Sequence, residues 1–189
     1  MKFRSMMTAA AALSITAGAA FAESHAAANP MVGGAEMFAT MNIVENAMNS
    51  ADHTTLVAAV AAAGLVETLQ SEGPFTVFAP VNDAFAALPE GTVESLLMPE
   101  NKDTLVKILT CHVVATNAMA DAIRGMVDAD GGSHDVTTVG GCILKVSYAA
   151  DGSIMIEDET GGVANVTIAD VMQSNGVIHV IDRVLLPAI

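Results

Sequence analysis

The sequence predicts an α+β domain built around a largely antiparallel sheet. Three observations carry that prediction. Beyond Asn42, apolar residues recur at helical spacing. Beyond Cys111, short β-branched runs are separated by glycine-bearing turns. Neither strand–helix–strand alternation nor an internal repeat is present, which argues against a parallel α/β sheet. The chain has 189 residues, 52% of them hydrophobic, which suffices for one domain with a core and argues against general disorder.

The elements follow in order. Residues 23–40 carry Ala, Gly and Pro without a clear period and read as a linker or N-terminal arm ahead of a domain over 41–188. Ile43, Val44, Ala47 and Met48 share one face of a first helix. Thr54 or Thr55 caps a second helix bearing Leu56, Val57, Val60 and Ala61, and Gly64 closes it. A short helical stretch over 65–69 ends at Gly73-Pro74. Residues 75–79 are aromatic and β-branched, hence a strand, which Pro80 breaks. Asn82 then caps a short helix over 83–88, stopped by Pro89. Helices over 92–97 and 102–110 follow, the second burying Leu105, Ile108 and Leu109.

In the second half, strand-like runs occupy 111–114, 136–139, 142–148, 153–157, 163–168 and 177–181, with one helix over 118–126. Gly140-Gly141, Asp151-Gly152, Gly161-Gly162 and Asn175-Gly176 supply the turns, the last as a tight hairpin needing positive φ. On the final strand, Val177, His179 and Ile181 face one side, and Ile178 and Val180 the other.

The N-terminus reads as an address. Lys2 and Arg4 precede an uncharged stretch from Met6 to Ala20, and Ala20-Phe21-Ala22 gives a small–x–small cleavage pattern before Glu23. This predicts a secretory signal peptide over 1–22, cleaved after Ala22, and a protein exported to the periplasm or the medium. The alternative is an N-terminal membrane anchor, although the apolar stretch is short for a full span. No cysteine lies near the cleavage site, as a lipid anchor would require. No later stretch is apolar for long enough to insert stably in a membrane.

Seven Lys/Arg against 21 Asp/Glu give a formal charge of −14, and removing Lys2 and Arg4 makes the mature chain more acidic still. With no Trp and one Tyr, such a surface repels phosphate backbones and offers few stacking platforms, which excludes nucleic acid as a partner. Anionic lipid surfaces are disfavoured for the same reason.

Two cysteines remain, Cys111 and Cys142. In an exported chain an even count predicts a disulfide. Its loop of about 30 residues is worth roughly 3–4 kcal/mol in the chain-entropy picture. Two buried free thiols are the alternative. A metal pair has only the adjacent Cys111-His112 in its favour.

Three ordered stretches now resemble one family, the fasciclin domain. The first runs from Asn42-Ile-Val through Leu69 into Gly73-Pro-Phe-Thr-Val-Phe-Ala-Pro-Val-Asn-Asp-Ala-Phe-Ala-Ala-Leu88. The second is Leu109-Thr-Cys-His-Val-Val114, and the third is Ile168-Ala-Asp-Val-Met-Gln-Ser-Asn-Gly-Val-Ile-His-Val-Ile-Asp-Arg-Val-Leu-Leu-Pro187. The resemblance implies a fasciclin-like fold in which a β-sandwich or wedge of about seven strands packs against a layer of helices. It implies a non-enzymatic adhesion or binding module, without a cofactor, that contacts a protein, a cell-envelope component or a matrix polymer. The other reading is a small exported ligand-binding protein or enzyme using a pocket between helices and sheet.

The resemblance also suggests where a partner would touch. His112 occupies the second position of the family's Tyr-His pair, with Cys111 in place of the Tyr, so a Cys111–Cys142 bridge would take over the staple role there. Either His112 belongs to an adhesion surface or it is a half-buried ring bonded to neighbouring backbone. Asp170, Val171 and Met172 match the place where animal relatives carry an Asp-Ile dipeptide resembling integrin contacts. Alternatively, Asp170 caps the following turn while Val171 and Met172 pack inward. His179 reads as a structural core-edge residue. Asp128, Asp130, His134 and Asp135 form an acidic Gly-rich loop that begins like a calcium loop but lacks the later acidic ligand. Asn165-Val166-Thr167 spells a glycosylation sequon within a strand-like run. No Gly-x-Ser-x-Gly elbow, His-Glu-x-x-His pair or phosphate loop occurs, and the dispersed methionines read as core filler.

Overall fold

Asn42 opens helix α1 (Ile43–Asn49) with a capping box: its side chain accepts the Glu45 N–H at 2.9 Å while the Glu45 carboxylate accepts the Asn42 N–H at 3.0 Å. The computed structural model describes residues 29–188, so the signal segment and its cleavage point lie outside the described residues. Helix α2 (Thr54–Ala63) ends on Gly64, whose φ of 74° is the left-handed geometry that glycine adopts freely. Helices α3 (Val66–Gln70), α4 (Asn82–Ala86), α5 (Thr92–Leu96) and α6 (Lys102–Cys111) complete the first half, and α7 (Ala120–Ala129) stands alone in the second. Between α3 and α4 runs the first long strand.

Part of the segment read as a linker or arm, residues 31–37, is packed. Strands β1 (Met31–Val32) and β2 (Ala35–Glu36) form a small hairpin, and Val32 and Met37 are buried near Ala47, Ala79, Val171 and Ile178. The main sheet has seven strands: β3 (Phe75–Pro80), β4 (Val113–Val114), β5 (Ser133–Thr137), β6 (Ile143–Tyr148), β7 (Ile154–Glu157), β8 (Val163–Gln173) and β9 (Gly176–Ile181). Their spatial order is β4-β3-β9-β8-β7-β6-β5. Every pairing is antiparallel except β3 with β9, where the first and last long strands lie parallel side by side. Sequence pattern alone points to the antiparallel majority. The one parallel pairing joins residues about a hundred positions apart and has no local signature.

Strand β8 outruns its expected end at residue 168 because it serves both halves of the sheet. Its register against β9 shifts between Val166 and Ile168 and again between Ile168 and Val171. Each shift inserts one extra residue on β8, which bends the strand. The ends of the sheet then approach: the Val139 N–H donates to the Val113 carbonyl at 2.7 Å and the Gly140 N–H to Thr110 at 3.0 Å. The result is a nearly closed α+β wedge.

Two cores lie on opposite faces. The larger holds Ile43, Leu56, Val60, Val77, Ile108, Leu109, Ile178 and Val180, between the helical layer and β3/β9. The smaller holds Phe78, Ile123, Leu144, Val146, Ile156 and Ile181, enclosed by the second half of the sheet and α7. Because side chains alternate along a strand, β3 and β9 feed both cores, and β9 is buried along its whole length.

Three local readings change. Cys111 is the last residue of α6 rather than the first of a strand, because the helical ladder continues until His112 caps it. Asn82 is the first residue of α4 and does not cap it. Its Oδ1 accepts the Thr55 N–H at 3.0 Å and its Nδ2 donates to the Ala51 carbonyl at 2.9 Å, so it caps α2 across the fold. Neither Asn175 nor Gly176 has positive φ. Gly176 is needed because a Cβ there would land on the Phe75 carbonyl, and Gly73 because its Cβ would land on the Asn175 carbonyl. Asn175 itself clips three pieces together. Its Oδ1 accepts the Ile43 N–H at 3.1 Å, and its Nδ2 donates to Leu69 at 2.7 Å and Ser71 at 3.0 Å.

Candidate functional site

The corner where the sheet nearly closes is held covalently. Cys111 at the end of α6 and Cys142 at the head of β6 form a disulfide with Cα atoms 5.4 Å apart, across 31 positions of sequence. Both residues are buried. The alternatives of free thiols and of a metal pair fall with this bond.

His112, next in the chain, is only 2% exposed. One ring nitrogen, Nδ1, lies 2.8 Å from the Ile108 carbonyl and the other, Nε2, 2.9 Å from the Leu185 N–H. A backbone N–H only donates, so Nε2 accepts and Nδ1 carries the proton. Burial lowers the pKa of this ring to about 4, against the opposing pull of the Ile108 carbonyl and the Asp158 charge. His112 is therefore a neutral pin that fixes the C-terminal segment. In this conformation the ring is closed to a macromolecular partner. Asp158 pins the same segment, its Oδ2 accepting the Leu186 N–H at 3.0 Å while Oδ1 accepts from Thr160 and Gly162. Burial of that carboxyl acts to raise its pKa, yet these hydrogen bonds together hold it below the ordinary range.

The Asp170, Val171 and Met172 triplet separates. Asp170 sits in the second β8 bulge at φ 57°, a conformation that Asp tolerates better than most residues. Its Oδ1 accepts the Ala120 N–H at 2.8 Å, so it caps α7, not the turn that follows it. Its own N–H donates to His179 Nδ1 at 3.3 Å, and His179 Nε2 donates to the Ala118 carbonyl at 2.8 Å. Val171 is 0% exposed. Met172 is 42% exposed and points away from the core. Of the partner contacts expected from sequence, Met172 and the half-buried Asp170 reach the surface, while His112 and Val171 do not.

The acidic loop holds one contact of note, His134 Nδ1 to Asp130 Oδ2 at 2.6 Å. Among the described residues, no group of three or more His, Cys, Asp or Glu side chains converges as a metal site would require.

A cavity lies between helices and sheet, which the sequence raised only as part of the other reading and without naming a lining residue. The apolar faces of α1, α2, α3 and α6 do not close fully upon β3 and β4, and leave about 240 Å³ between them. Fourteen of its fifteen lining residues are Ala, Val, Leu, Ile or Met, and His112 is the fifteenth. The space is partly open to solvent at the exposed Met48. Amphipathic spacing marks these residues as inward-facing. It carries no information on whether four short helices meet tightly, so no sequence signal could have found the gap.

Comparison with known proteins agrees with this architecture. The fasciclin domain family model matches residues 51–187. Protein sll1483 of Synechocystis is 54% identical over 147 residues, covering 78% of this chain and 74% of that protein. Transforming growth factor-beta-induced protein ig-h3 of Sus scrofa is 39% identical over 132 residues, 70% of this chain but 17% of that protein. A solved domain pair from the insect cell adhesion molecule Fasciclin I superposes with a TM-score of 0.54 at 26% identity. The match covers 67% of this chain and 42% of that one, so the chain spans less than half of the solved pair. The wedge of seven strands under a helical layer thus defines a fasciclin-type domain. The chain belongs to the fasciclin domain family.

Proposed function

We propose that the protein is an exported, non-enzymatic binding module of the fasciclin type, which contacts a protein or a cell-envelope or matrix component. The observation that carries this reading is the family match across residues 51–187, together with a fold shared with a domain pair from a cell adhesion molecule. The strongly acidic composition supports a protein or polysaccharide partner over nucleic acid or anionic lipid. Among the described residues no helix is long and apolar enough to cross a membrane, and the signal-like residues 1–22 support export.

Within this reading the partner touches the edge of β8 at Met172 and Asp170. The test is affinity capture from the producing cell's envelope and medium, using immobilised mature protein beside Met172→Glu and Asp170→Asn. Asparagine keeps the oxygen that caps α7, so a lost partner in that variant reports the missing charge rather than a missing cap. Both variants are expected to lose the captured partner while melting with the wild type. Capture at unchanged affinity would move the contact elsewhere, and turnover of a substrate by pure protein would refute the non-enzymatic reading.

A further inference from the structure

We propose that the cavity among α1, α2, α3 and the α6–β4 corner is a binding site for one neutral, hydrocarbon-rich small molecule of about ten non-hydrogen atoms. The inference stands apart from the surface contact proposed above. It starts from size. Protein interiors are packed with few voids larger than a water molecule. An engineered apolar cavity of roughly 150 Å³ stays dry and takes up benzene. The present cavity is larger, at about 240 Å³, and scaling from benzene gives about ten atoms.

The lining then selects the ligand. Ile43, Val60, Leu69, Val77 and Leu109 offer aliphatic contact and no charge. A charged molecule entering here would lose its hydration without gaining a partner. No aromatic face other than the His112 ring lines the space, so a cation has little to stack on. Both nitrogens of His112 are already bonded, to Ile108 and Leu185, so the ring offers its apolar flank and not a hydrogen bond. Recognition is therefore by volume and by transfer out of water.

The cavity also has a way in. Met48, at its rim on α1, is 66% exposed, and Ala61 on α2 is exposed beside it. A methionine has three rotatable bonds and swings aside at little cost. A helix from another protein, about 10 Å across, is too wide for the space.

Naphthalene, neutral and of ten carbons, is the probe, and naphthalene-2-sulfonate is its charged counterpart. Methyl-resolved NMR of the full mature protein is expected to show saturable shifts at Ile43, Val60, Leu69 and Leu109 with naphthalene, and at least tenfold weaker ones with the sulfonate. Naphthalene should also raise the melting temperature. Ala47→Phe and Ala61→Phe fill the space from its rim. Each should abolish the response while melting at or above the wild-type temperature, and Ala61→Phe, already at an exposed position, serves if Ala47→Phe fails to fold. Shifts confined to other methyls, equal binding of the sulfonate, or binding undiminished in a filled variant would each overturn the site. So would a dimer, seen by light scattering, that shields Met48 and excludes naphthalene.

Discussion

Lowering the pH should destabilise this protein from about pH 6.5 downward, before most of its carboxylates titrate, and His112 sets the size of the effect. The folded ring is held at about pKa 4 against an ordinary value of 6.5. Protonating it would place a second donor against the Leu185 N–H, inside a site from which water is excluded. In the unfolded chain the same ring takes up its proton near 6.5. Between the two values the unfolded state binds more protons, so stability falls as pH falls. It is fully present above about 6.5 and fully lost below about 4. Each pH unit in the window is worth about 1.4 kcal/mol, so His112 alone removes about 3 kcal/mol. His53 and His179 are also lowered by burial and add in the same direction. Asp158 does not blur the window. Its carboxyl, facing the same C-terminal segment, lies below its ordinary 3.8, so its contribution is lost only at more acid pH. With no Trp, urea unfolding is best followed by far-ultraviolet circular dichroism, at several pH values from about 7 down to about 4.5. His112→Gln, which cannot titrate, should start less stable and then show a shallower slope by about one proton. A flat wild-type profile, or an identical slope in the variant, would refute the assignment of a neutral, pinned ring.

Further outcomes follow from single contacts. Cys111→Ser with Cys142→Ser should cost roughly 3–4 kcal/mol by urea unfolding, and the wild type should take up no alkylating reagent under denaturing conditions until it is reduced. Asn82→Ala should cost about 1–2 kcal/mol, read as a lower melting temperature with slowed exchange lost first at the start of α2, whereas Asn82→Asp keeps the cap on Thr55 and should lie between. Gly176→Ala should cost more than about 2 kcal/mol, because its methyl meets the Phe75 carbonyl. An exposed control, Gly125→Ala in α7, where a Cβ meets nothing, should stabilise slightly.

The amino-acid order by itself determined most of the helices and strands beyond Asn42, but not the β1–β2 hairpin, which has no clear period, nor the helical end at Cys111. Near neighbours decide that much: the Asn42–Glu45 box, the closing Gly64, the alternation along β9 and the glycine turns all act within a few residues. It also determined that two cysteines in an export-like chain would pair. Only the tertiary structure decided where long-range partners fall. Asn82 looks like a local cap, yet it serves a helix 27 positions upstream, because the Pro80 exit brings it against the start of α2. Asn175-Gly176 looks like a positive-φ turn, yet its glycine answers the closeness of Phe75 on a parallel neighbour. Asp170 and His112 both read as surface contacts by position in a motif, yet pinning Leu185 buries His112, whereas Asp170 caps α7 and stays half-buried at the surface. The cavity is the clearest case. Hydrophobic spacing says which faces seek one another, and the angles at which α1, α2, α3 and α6 cross settle how much space is left between them.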